Sequence, residues 1–309
     1  MGIIVVLFIA LALDLIFGEP SNTWHPVAWL GKLISLEAKL APRRDRLRQL
    51  AYGVGMVLIT LGLIITVVFF LLAYLDKFNF IAYAIVAGLF LKFSFSLRGL
   101  SHAINTVRAL LTKDKLAQAR LSLKSLVSRD TTKLSKRQMI SATVESAAEN
   151  ICDSFVAPLF YFFIFGVPGA IAYRIINTFD TMIGYHGQWE YLGKFAARLD
   201  DVANFIPARI TALIIILASL VCQKNISQAW HIMIRDHKKT ESLNAGWTMS
   251  AIAGALGVQL EKVDHYRLGD NHYPLSLDTI DASRQIIVVV AIIWCSIFIL
   301  AEAVYFVTT

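Results

Sequence analysis

Long apolar runs alternate with polar segments along the chain, and this pattern predicts a series of membrane-spanning helices. A helix needs about 20 apolar residues to cross a bilayer. Residues 2–17 are apolar apart from Asp14 and lack the basic start and small-residue cleavage site of a secretory signal, so they predict a retained, shorter first helix. The runs that approach full length are residues 51–75, 80–97, 155–173, 205–222 and 286–308. We therefore expect an all-α polytopic membrane helical bundle with about five to six spans.

Two segments predict departures from simple spans. Residues 102–126 have the spacing of an amphipathic helix, which lies on the membrane surface, packs on the bundle or binds a partner. The sequence GVPG at 166–169 interrupts the run 155–173. Irregular backbone at membrane depth needs protein or a water-filled cavity around it, so this sequence indicates a re-entrant or broken helix, or else an ordinary span that contains Gly and Pro.

The polar segment 223–284 is typical of a lid or cap on the bundle. Its small residues at 251–257 favour tight helix packing rather than chemistry. The chain shows no internal repeat and no low-complexity linker, so we expect a single integral membrane domain over residues 1–309.

Composition supports the membrane assignment. The chain is 57% hydrophobic and 17% charged, which is too apolar for a soluble globular protein. Its formal charge of +7 is better explained by basic cytoplasmic loops than by nucleic-acid binding, and we expect no nucleic-acid partner. We predict a multi-pass protein of the cell (inner) membrane in contact with the lipid bilayer. The basic residues that place one loop in the cytoplasm are Lys39, Arg43, Arg44, Arg46 and Arg48.

Three carboxylates recur at every fourth position in the polar stretch before the run 155–173. Glu145, Glu149 and Asp153 are spaced to lie on one helical face, where like charges repel each other. A cation, a basic partner or a proton offsets such repulsion. A solvated acidic face is the alternative, but acids at the threshold of a membrane are costly and therefore indicate function.

A second polar segment follows the GVPG sequence and carries two acid–amide pairs. Asn177 with Asp180, and Asp201 with Asn204, present oxygen ligands of the kind that Mg²⁺ prefers, although helix capping is a commoner role for these residues. Basic side chains nearby neutralise these acids or bind phosphate. They are Arg174, Arg198 and Arg209.

Near the start of the chain, His25 lies within a dozen residues of Asp14 and Glu19 at a membrane boundary. It is either an interfacial anchor or a functional group. The sequence contains no P-loop, no dinucleotide GxGxxG loop, no HExxH zinc motif and no GxSxG nucleophile elbow. Two classes of protein remain: a membrane enzyme for a phosphorylated substrate, and a transporter with acids near the membrane midplane.

A series of distinctive motifs runs along the chain: DLIFGEP with WHPV, RDTTKLS, ATVESAAENICDSFVAPLFY, GVPGAIAYRIINTFDTMIGY, ARLDDVANFIPARITA and NAGWTMSAIAGALGVQLEK. Together these motifs resemble one family, the membrane adenosylcobinamide-phosphate synthases of cobalamin biosynthesis. They cover most of the chain in the family's order. The sequence departs from the family's usual Ser-Pro-Asn-Ala-Gly turn at Leu243, which replaces the proline.

The resemblance implies a carbon–nitrogen ligase. Adenosylcobyric acid is joined to (R)-1-amino-2-propanol phosphate, or a related amino alcohol, by ATP-dependent amide formation that gives adenosylcobinamide phosphate. ATP and Mg²⁺ are then the expected cofactors, and other membrane enzymes of the late cobalamin pathway are expected partners. The alternative is a transporter or sensor that shares the fold without the chemistry. A polyprenyl transferase is similar only in the spacing of Asn177 and Asp180.

These implications give a hypothesis for the site. Glu145, Glu149 and Asp153 form the metal and base face, and His25 is a base for the ammonium of the amino alcohol. The predicted metal ligands are Glu149, Asp153, Asp180 and Asp201. The predicted substrate- or phosphate-binding residues are Arg129, Asp130, Arg174, Asn177, Arg198 and Asn244. We expect these groups to meet in one pocket at the lipid boundary.

Overall fold

The chain is almost entirely helical, as a computed structural model shows. The structure describes residues 2–21, 23–42, 45–184 and 189–308; Arg43, Arg44 and the short stretch 185–188 lie outside the described residues. The α-helices in chain order are α1 Gly2–Phe17, α2 Pro26–Leu40, α3 Arg46–Phe78, α4 Phe80–Lys92, α5 Leu97–Thr112, α6 Leu116–Leu123, α7 Lys136–Ile151, α8 Ala157–Ile183, α9 Glu190–Ala203, α10 Phe205–Val221, α11 Ile226–Asp236, α12 Ala245–Leu256 and α13 Leu277–Thr308.

The described part of the chain contains four helical stretches long and apolar enough to cross a membrane, or up to five if the bent pair α9–α10 counts as one span. The helix α1 is apolar but shorter. The stretches are Arg46–Phe78, Phe80–Thr112, Lys136–Ile183 and Leu277–Val304. The predicted class, an all-α polytopic membrane bundle, is confirmed.

Two short strands, β1 Leu260–Lys262 and β2 Tyr266–Leu268, form an antiparallel hairpin that the sequence did not predict. The hairpin lies inside the polar segment 223–284, together with α11, α12 and a 3₁₀ turn at His237–Lys239. Three-residue strands leave little alternation to detect, and this explains why the pattern was missed.

The chain divides into two compact units. Unit 1 contains Met1–Ser96, Ala157–Ala203 and Glu302–Thr309, and unit 2 contains Leu97–Val156 and Asn204–Ala301. Each unit combines segments that are distant in sequence, so neither corresponds to a continuous half of the chain. The single-domain expectation stays a prediction.

Unit 1 is built on close helix contacts. Its core joins α2, α3, α8 and α9 through apolar residues such as Ile34, Val57 and Phe179. The helices α1 and α4 pack so closely that a side chain at Gly88 of α4 would collide with Ile9 of α1. This contact brings the carboxyl-terminal ends of α1 and α4 together, so that Asp14 of α1 and Lys92 of α4 form an ion pair.

Unit 2 is built around α12, whose residues are nearly all buried. The helix packs against α7, α10 and α11, and a Cβ at Gly254 would collide with the backbone of α11 at Gln228 and Ala229. The small-residue run at 251–257 therefore serves close packing, as the sequence indicated. The hairpin packs against α7, and both Leu260 and Leu268 are fully buried.

The backbone departs from a regular α-helix at two places. A π-helical turn, Cys152–Val156, follows α7. Further on, Gly166 in α8 adopts φ 66° and ψ −162°, so α8 consists of two helical pieces joined at a kink ahead of Pro168. Gly tolerates this left-handed φ, and Pro cannot donate to the preceding turn. The interpretation of GVPG as a break in the helix is confirmed.

Candidate functional site

In unit 2, the Glu145 carboxylate is buried and accepts hydrogen bonds on both of its oxygens. Only 3% of Glu145 is exposed. The Arg129 guanidinium donates to its Oε2 over 3.1 Å, and the Tyr266 hydroxyl donates to the same oxygen over 3.0 Å. The Ser141 hydroxyl donates to Oε1 over 2.6 Å. A buried charge needs this degree of compensation, so Glu145 is the centre of an ordered polar network.

Ser141 connects this network to the hairpin. Its hydroxyl oxygen accepts the backbone N–H of Glu261 over 2.8 Å while its hydrogen is donated to Glu145. Ser141 lies one helical turn before Glu145 on α7, so both side chains are on the same face. The hairpin is thereby fixed against α7 by its backbone as well as by the Tyr266 side chain.

Glu149 lies one turn after Glu145 and is half-buried. The pKa of the Tyr266 hydroxyl is raised well above its usual range by burial and then by the charges of Glu145 and Glu149. Asp153 belongs to the π-helical turn, where the 3.6-residue period of α7 ends. The sequence therefore predicted the shared face of Glu145 and Glu149, whereas the position of Asp153 is set by the wider turn, a feature frequent at functional sites.

Arg129 is placed by the loop between α6 and α7. The Nε atom of Arg129 is buried and has no hydrogen-bond partner in the described part of the chain. The neighbouring Asp130 is exposed and accepts both the backbone N–H and the hydroxyl of Thr132, and these bonds lower the pKa of Asp130. Asp130 thus stabilises the turn that carries Arg129.

Asn244 lies at the start of α12 and is 7% exposed. Its side-chain oxygen accepts a hydrogen bond from Arg209 over 3.1 Å, and the Arg209 guanidinium stacks on Phe205 at 3.6 Å from the ring centre. The Ser242 hydroxyl accepts the backbone N–H groups of Asn244 and Ala245. This turn is held by hydrogen bonds, so it does not depend on the proline that Leu243 replaces.

In unit 1, the predicted polar residues of α8 and α9 form small pairs. The Asn177 amide donates to Asp200 over 3.3 Å, and Arg198 pairs with Asp201 at 3.4 Å on the surface of α9. The Asp180 carboxylate lies against Gly184, where any side chain would collide with it. Arg174 lies on α8 one turn before Thr178, which donates its hydroxyl to the Arg174 carbonyl.

His25 belongs to a charged cluster at the ends of α1 and α4, in which Asp14 and Lys92 are buried and Glu19 is exposed. Its Nδ1 accepts the backbone N–H of Val27 at the start of α2, and its Nε2 lies 2.5 Å from Glu19. The Lys92 ammonium pairs with Asp14 at 3.0 Å and with Glu19 at 2.8 Å. Both ring nitrogens of His25 are occupied, so a role as base requires one of these contacts to open.

The predicted site residues thus fall into two sets. Unit 2 contains Arg129, Asp130, Glu145, Glu149, Asp153 and Asn244, and unit 1 contains His25, Arg174, Asn177, Asp180, Arg198 and Asp201. Within unit 2, Arg129 and Glu145 are in direct contact. The meeting of both sets in one pocket stays a prediction.

Among the described residues, no group of three or more His, Cys, Asp or Glu side chains is arranged to hold a metal ion. Mg²⁺ at phosphate sites differs from a fully protein-bound metal, because it uses one or two carboxylates together with substrate phosphates and water. Glu145 already has both oxygens engaged. Glu149 and Asp153 are two carboxylates, the number and kind of protein ligand that Mg²⁺ uses at such a phosphate site.

Sequence reasoning missed Ser141, Tyr266 and Lys92. Lys92 carried a signal, because it is the charged residue within the apolar run 80–97, and a charge in a predicted span marks a buried partner or a functional site. Tyr266 carried none: it contacts Glu145 from 121 positions away in sequence. Only folding brings these two side chains together.

Comparisons with known proteins agree over nearly the whole chain. A family model described as CobD/Cbib protein matches residues 7–293. The chain is 50% identical over 306 residues to the cobalamin biosynthesis protein CobD of Dehalococcoides mccartyi, covering 99% of each chain. It is 36% identical to the probable cobalamin biosynthesis protein CobD of Thermoplasma volcanium, over 96% of each. It is 35% identical to the cobalamin biosynthesis protein CbiB of Salmonella typhimurium, over 90% of each. No solved structure matches.

Proposed function

We propose a specific reaction from one established premise: the chain belongs to the CobD/CbiB family and has a role in cobalamin biosynthesis as a multi-pass membrane protein. The reaction is the ATP-dependent joining of adenosylcobyric acid to (R)-1-amino-2-propanol phosphate, or a related amino alcohol, giving adenosylcobinamide phosphate. The observation that carries this proposal is the match to relatives named as cobalamin biosynthesis proteins over 90% or more of the chain.

The chemistry needs activation of a carboxylate. A carboxylate does not acylate an amine unaided, because its oxygen is a poor leaving group. In the proposed reaction the corrinoid carboxylate attacks the terminal phosphorus of ATP, ADP leaves and an acyl phosphate forms. The amine of the amino alcohol then attacks the acyl carbon, inorganic phosphate leaves, and a base takes the proton released from nitrogen.

The residues of unit 2 provide suitable groups for this reaction. The buried Nε of Arg129 has no hydrogen-bond partner among the described residues, and in our proposal it binds a phosphate oxygen. Glu145 holds Arg129 in place, and Glu149 and Asp153 hold Mg²⁺, which neutralises phosphate charge when bound. Asp130 and Asn244 support the loops on which the substrate rests.

The residues of unit 1 have proposed roles in the same reaction. His25 is the base for the ammonium of the amino alcohol, after its contact with Glu19 opens. Asp180 and Asp201 are further acids for a metal. Arg174, Asn177 and Arg198 bind substrate. We also propose the inner cell membrane as the location, with other late enzymes of the pathway as partners.

A reconstituted assay tests the reaction. The purified protein in detergent is given adenosylcobyric acid, 1-amino-2-propanol phosphate and MgATP, and the amide product is followed by mass spectrometry. We expect product only when ATP is present, and a Glu149→Gln variant that folds and inserts should lose most turnover. Full turnover of that variant would remove Glu149 from the proposed site, and absence of product with the wild-type protein would overturn the reaction.

Transport is the second candidate, favoured by the break in α8 at Gly166. Discontinuous helices line the binding sites of many transporters. Protein in sealed vesicles distinguishes the two functions: accumulation of unconverted corrinoid inside the vesicles supports transport, and conversion to the amide supports the synthase.

A further inference from the structure

An open cleft of about 610 Å³ lies beside the hairpin in unit 2. Its volume falls within the range of small-molecule sites, about 300–1,000 Å³. Sequence reasoning assigned none of its lining residues to a site. They are Lys239, Glu261, Lys262, Asp264, His265, Tyr266 and Arg267.

Most cations of this cleft are already neutralised. Lys239 pairs with Asp236 at 2.6 Å, and Arg267 pairs with Glu261 at 2.8 Å across the hairpin. His265 lies 3.0 Å from Glu241. The ammonium of Lys262 is different, because it has no carboxylate partner among the described residues, although the residue is half-buried. Lys262 is therefore the cation of the cleft that is available to a ligand.

The hairpin register places Lys262 beside the Glu145 network. Lys262 lies directly opposite Tyr266 in the antiparallel pair. Side chains of such a pair point to the same face of the sheet, with Cβ atoms about 5 Å apart. That face is the one that packs inward, because it also carries the fully buried Leu260 and Leu268.

One further donor, Arg129, lies next to Tyr266. The Tyr266 hydroxyl and an Arg129 nitrogen both bond to the same oxygen of Glu145, so Arg129 and Tyr266 are neighbours. The Nε of Arg129 is buried without a hydrogen-bond acceptor in the described part of the chain. A buried donor without an acceptor is costly, and an anionic ligand would supply the acceptor.

We propose that the cleft beside the hairpin binds the phosphate group of a ligand, with the Lys262 ammonium as its direct cationic contact and the Tyr266 hydroxyl as the link from the cleft to Glu145. Lysine binds phosphate as a compact charge with three donors, and a phosphate monoester carries close to two negative charges at neutral pH. The phosphate comes from a small phosphate monoester or from a nucleotide. Naming these as the amino alcohol phosphate and ATP rests on the proposed function.

Direct binding tests the cleft without any need for turnover. The full-length protein in detergent is titrated calorimetrically with three probes: inorganic phosphate, 1-amino-2-propanol phosphate and MgATP. We expect Lys262→Gln to weaken binding of at least one probe about tenfold or more, the usual effect of losing a hydrogen bond to a charged group. Lys262→Arg keeps the charge and should bind within a few-fold of the wild type.

Lys238→Gln is the matched control. Lys238 is exposed, lies next to Lys239 and does not line the cleft. Lys238→Gln changes the net charge of the protein by the same amount as Lys262→Gln, but outside the cleft. We expect it to change affinity less than about twofold. If Lys262→Gln weakens the binding of the amino alcohol phosphate alone, the cleft is a monoester site. If it weakens the binding of MgATP, the cleft is a nucleotide site. Equal affinities of Lys262→Gln and Lys238→Gln for all three probes would overturn the proposal.

The outcome is separable from that of the proposed reaction. Phosphate binding that depends on Lys262 in a protein that forms no amide would leave the cleft assignment intact and remove the synthase reaction. If the wild-type protein forms the amide but Lys262→Gln binds all three probes as tightly as the wild type, the synthase reaction stands and the cleft assignment is removed.

Discussion

Two charged clusters, one in each unit, differ in how their charges are satisfied. In unit 1, one cation, Lys92, is shared by Asp14 and Glu19, and His25 bonds to Glu19 as well. In unit 2, one carboxylate, Glu145, is shared by three donors, while the buried Nε of Arg129 has no hydrogen-bond partner among the residues that the structure describes. Burial and charge alone therefore do not identify a site. The unit 2 cluster differs because one of its members, Tyr266, also lines a cleft.

The comparison predicts that Asp14, Glu19 and Lys92 of the unit 1 cluster serve stability and position the proposed base His25, whereas the unit 2 cluster serves turnover directly. Exchanging charge for a neutral group in each cluster tests this division.

Glu145→Gln should lower turnover about a hundredfold or more, because Arg129 loses the charge that orients it and the network loses its carboxylate. The amide oxygen of Gln still accepts from Tyr266 or Ser141, which preserves part of the network. Turnover is measured in the amide assay and folding by thermal unfolding in detergent. Glu190→Gln, at an exposed position at the start of α9, is the control. Wild-type turnover in Glu145→Gln would remove the distinction between the clusters.

Lys92→Met should destabilise the protein by roughly 3–5 kcal/mol, because it leaves the buried Asp14 carboxylate without its cation and removes one partner of the more exposed Glu19. The free energy of unfolding is measured with denaturant in detergent. Lys77→Met, at the exposed end of α3, makes the same chemical change without a buried partner. A double variant, Asp14→Asn with Lys92→Met, should recover part of the loss. Equal stability of Lys92→Met and Lys77→Met would contradict a structural role for the cluster.

The pH dependence of stability should report the same cluster. Burial raises the pKa of Glu19, but hydrogen bonds from His25, Lys92 and Ser96 and the charge of Lys92 outweigh it and lower the pKa from 4.5 to about 2. A lowered pKa in the folded state stabilises the protein above pH 4.5, and this stabilisation is lost as the pH falls toward 2. At 1.36 kcal/mol for each pKa unit the full shift corresponds to roughly 3.4 kcal/mol, but Glu19 is exposed and solvent screens its charge, so we expect a contribution well below that.

Comparing wild type with Glu19→Gln isolates this contribution. The difference in unfolding free energy between them should shrink as the pH falls through that window. Asp236, whose pKa is also about 2, is present in both proteins and cancels. A difference that stays constant from pH 6 to pH 2.5 would show that Glu19 does not gain its charge stabilisation from folding.

Local features of the sequence predicted several elements correctly. The GVPG sequence indicated a break because Gly accepts a positive φ and Pro cannot continue the helix, and the structure breaks at Gly166. The spacing of Glu145 and Glu149 indicated a shared face because both lie on one regular helix. The start of α13 was missed: the run 286–308 is the apolar part of a helix that begins at Leu277, since its first turns are polar.

The sequence by itself determined that this chain has helices suited to a membrane, where its long apolar runs lie and where its acids repeat, because hydrophobicity and helical period are local properties. The partners of those acids were decided only by tertiary structure. Tyr266 reaches Glu145 because a short hairpin packs on α7, and Lys92 reaches Asp14 because Gly88 lets α4 approach α1. Such contacts join residues far apart in the chain, and no local pattern records which side chain will satisfy a buried charge.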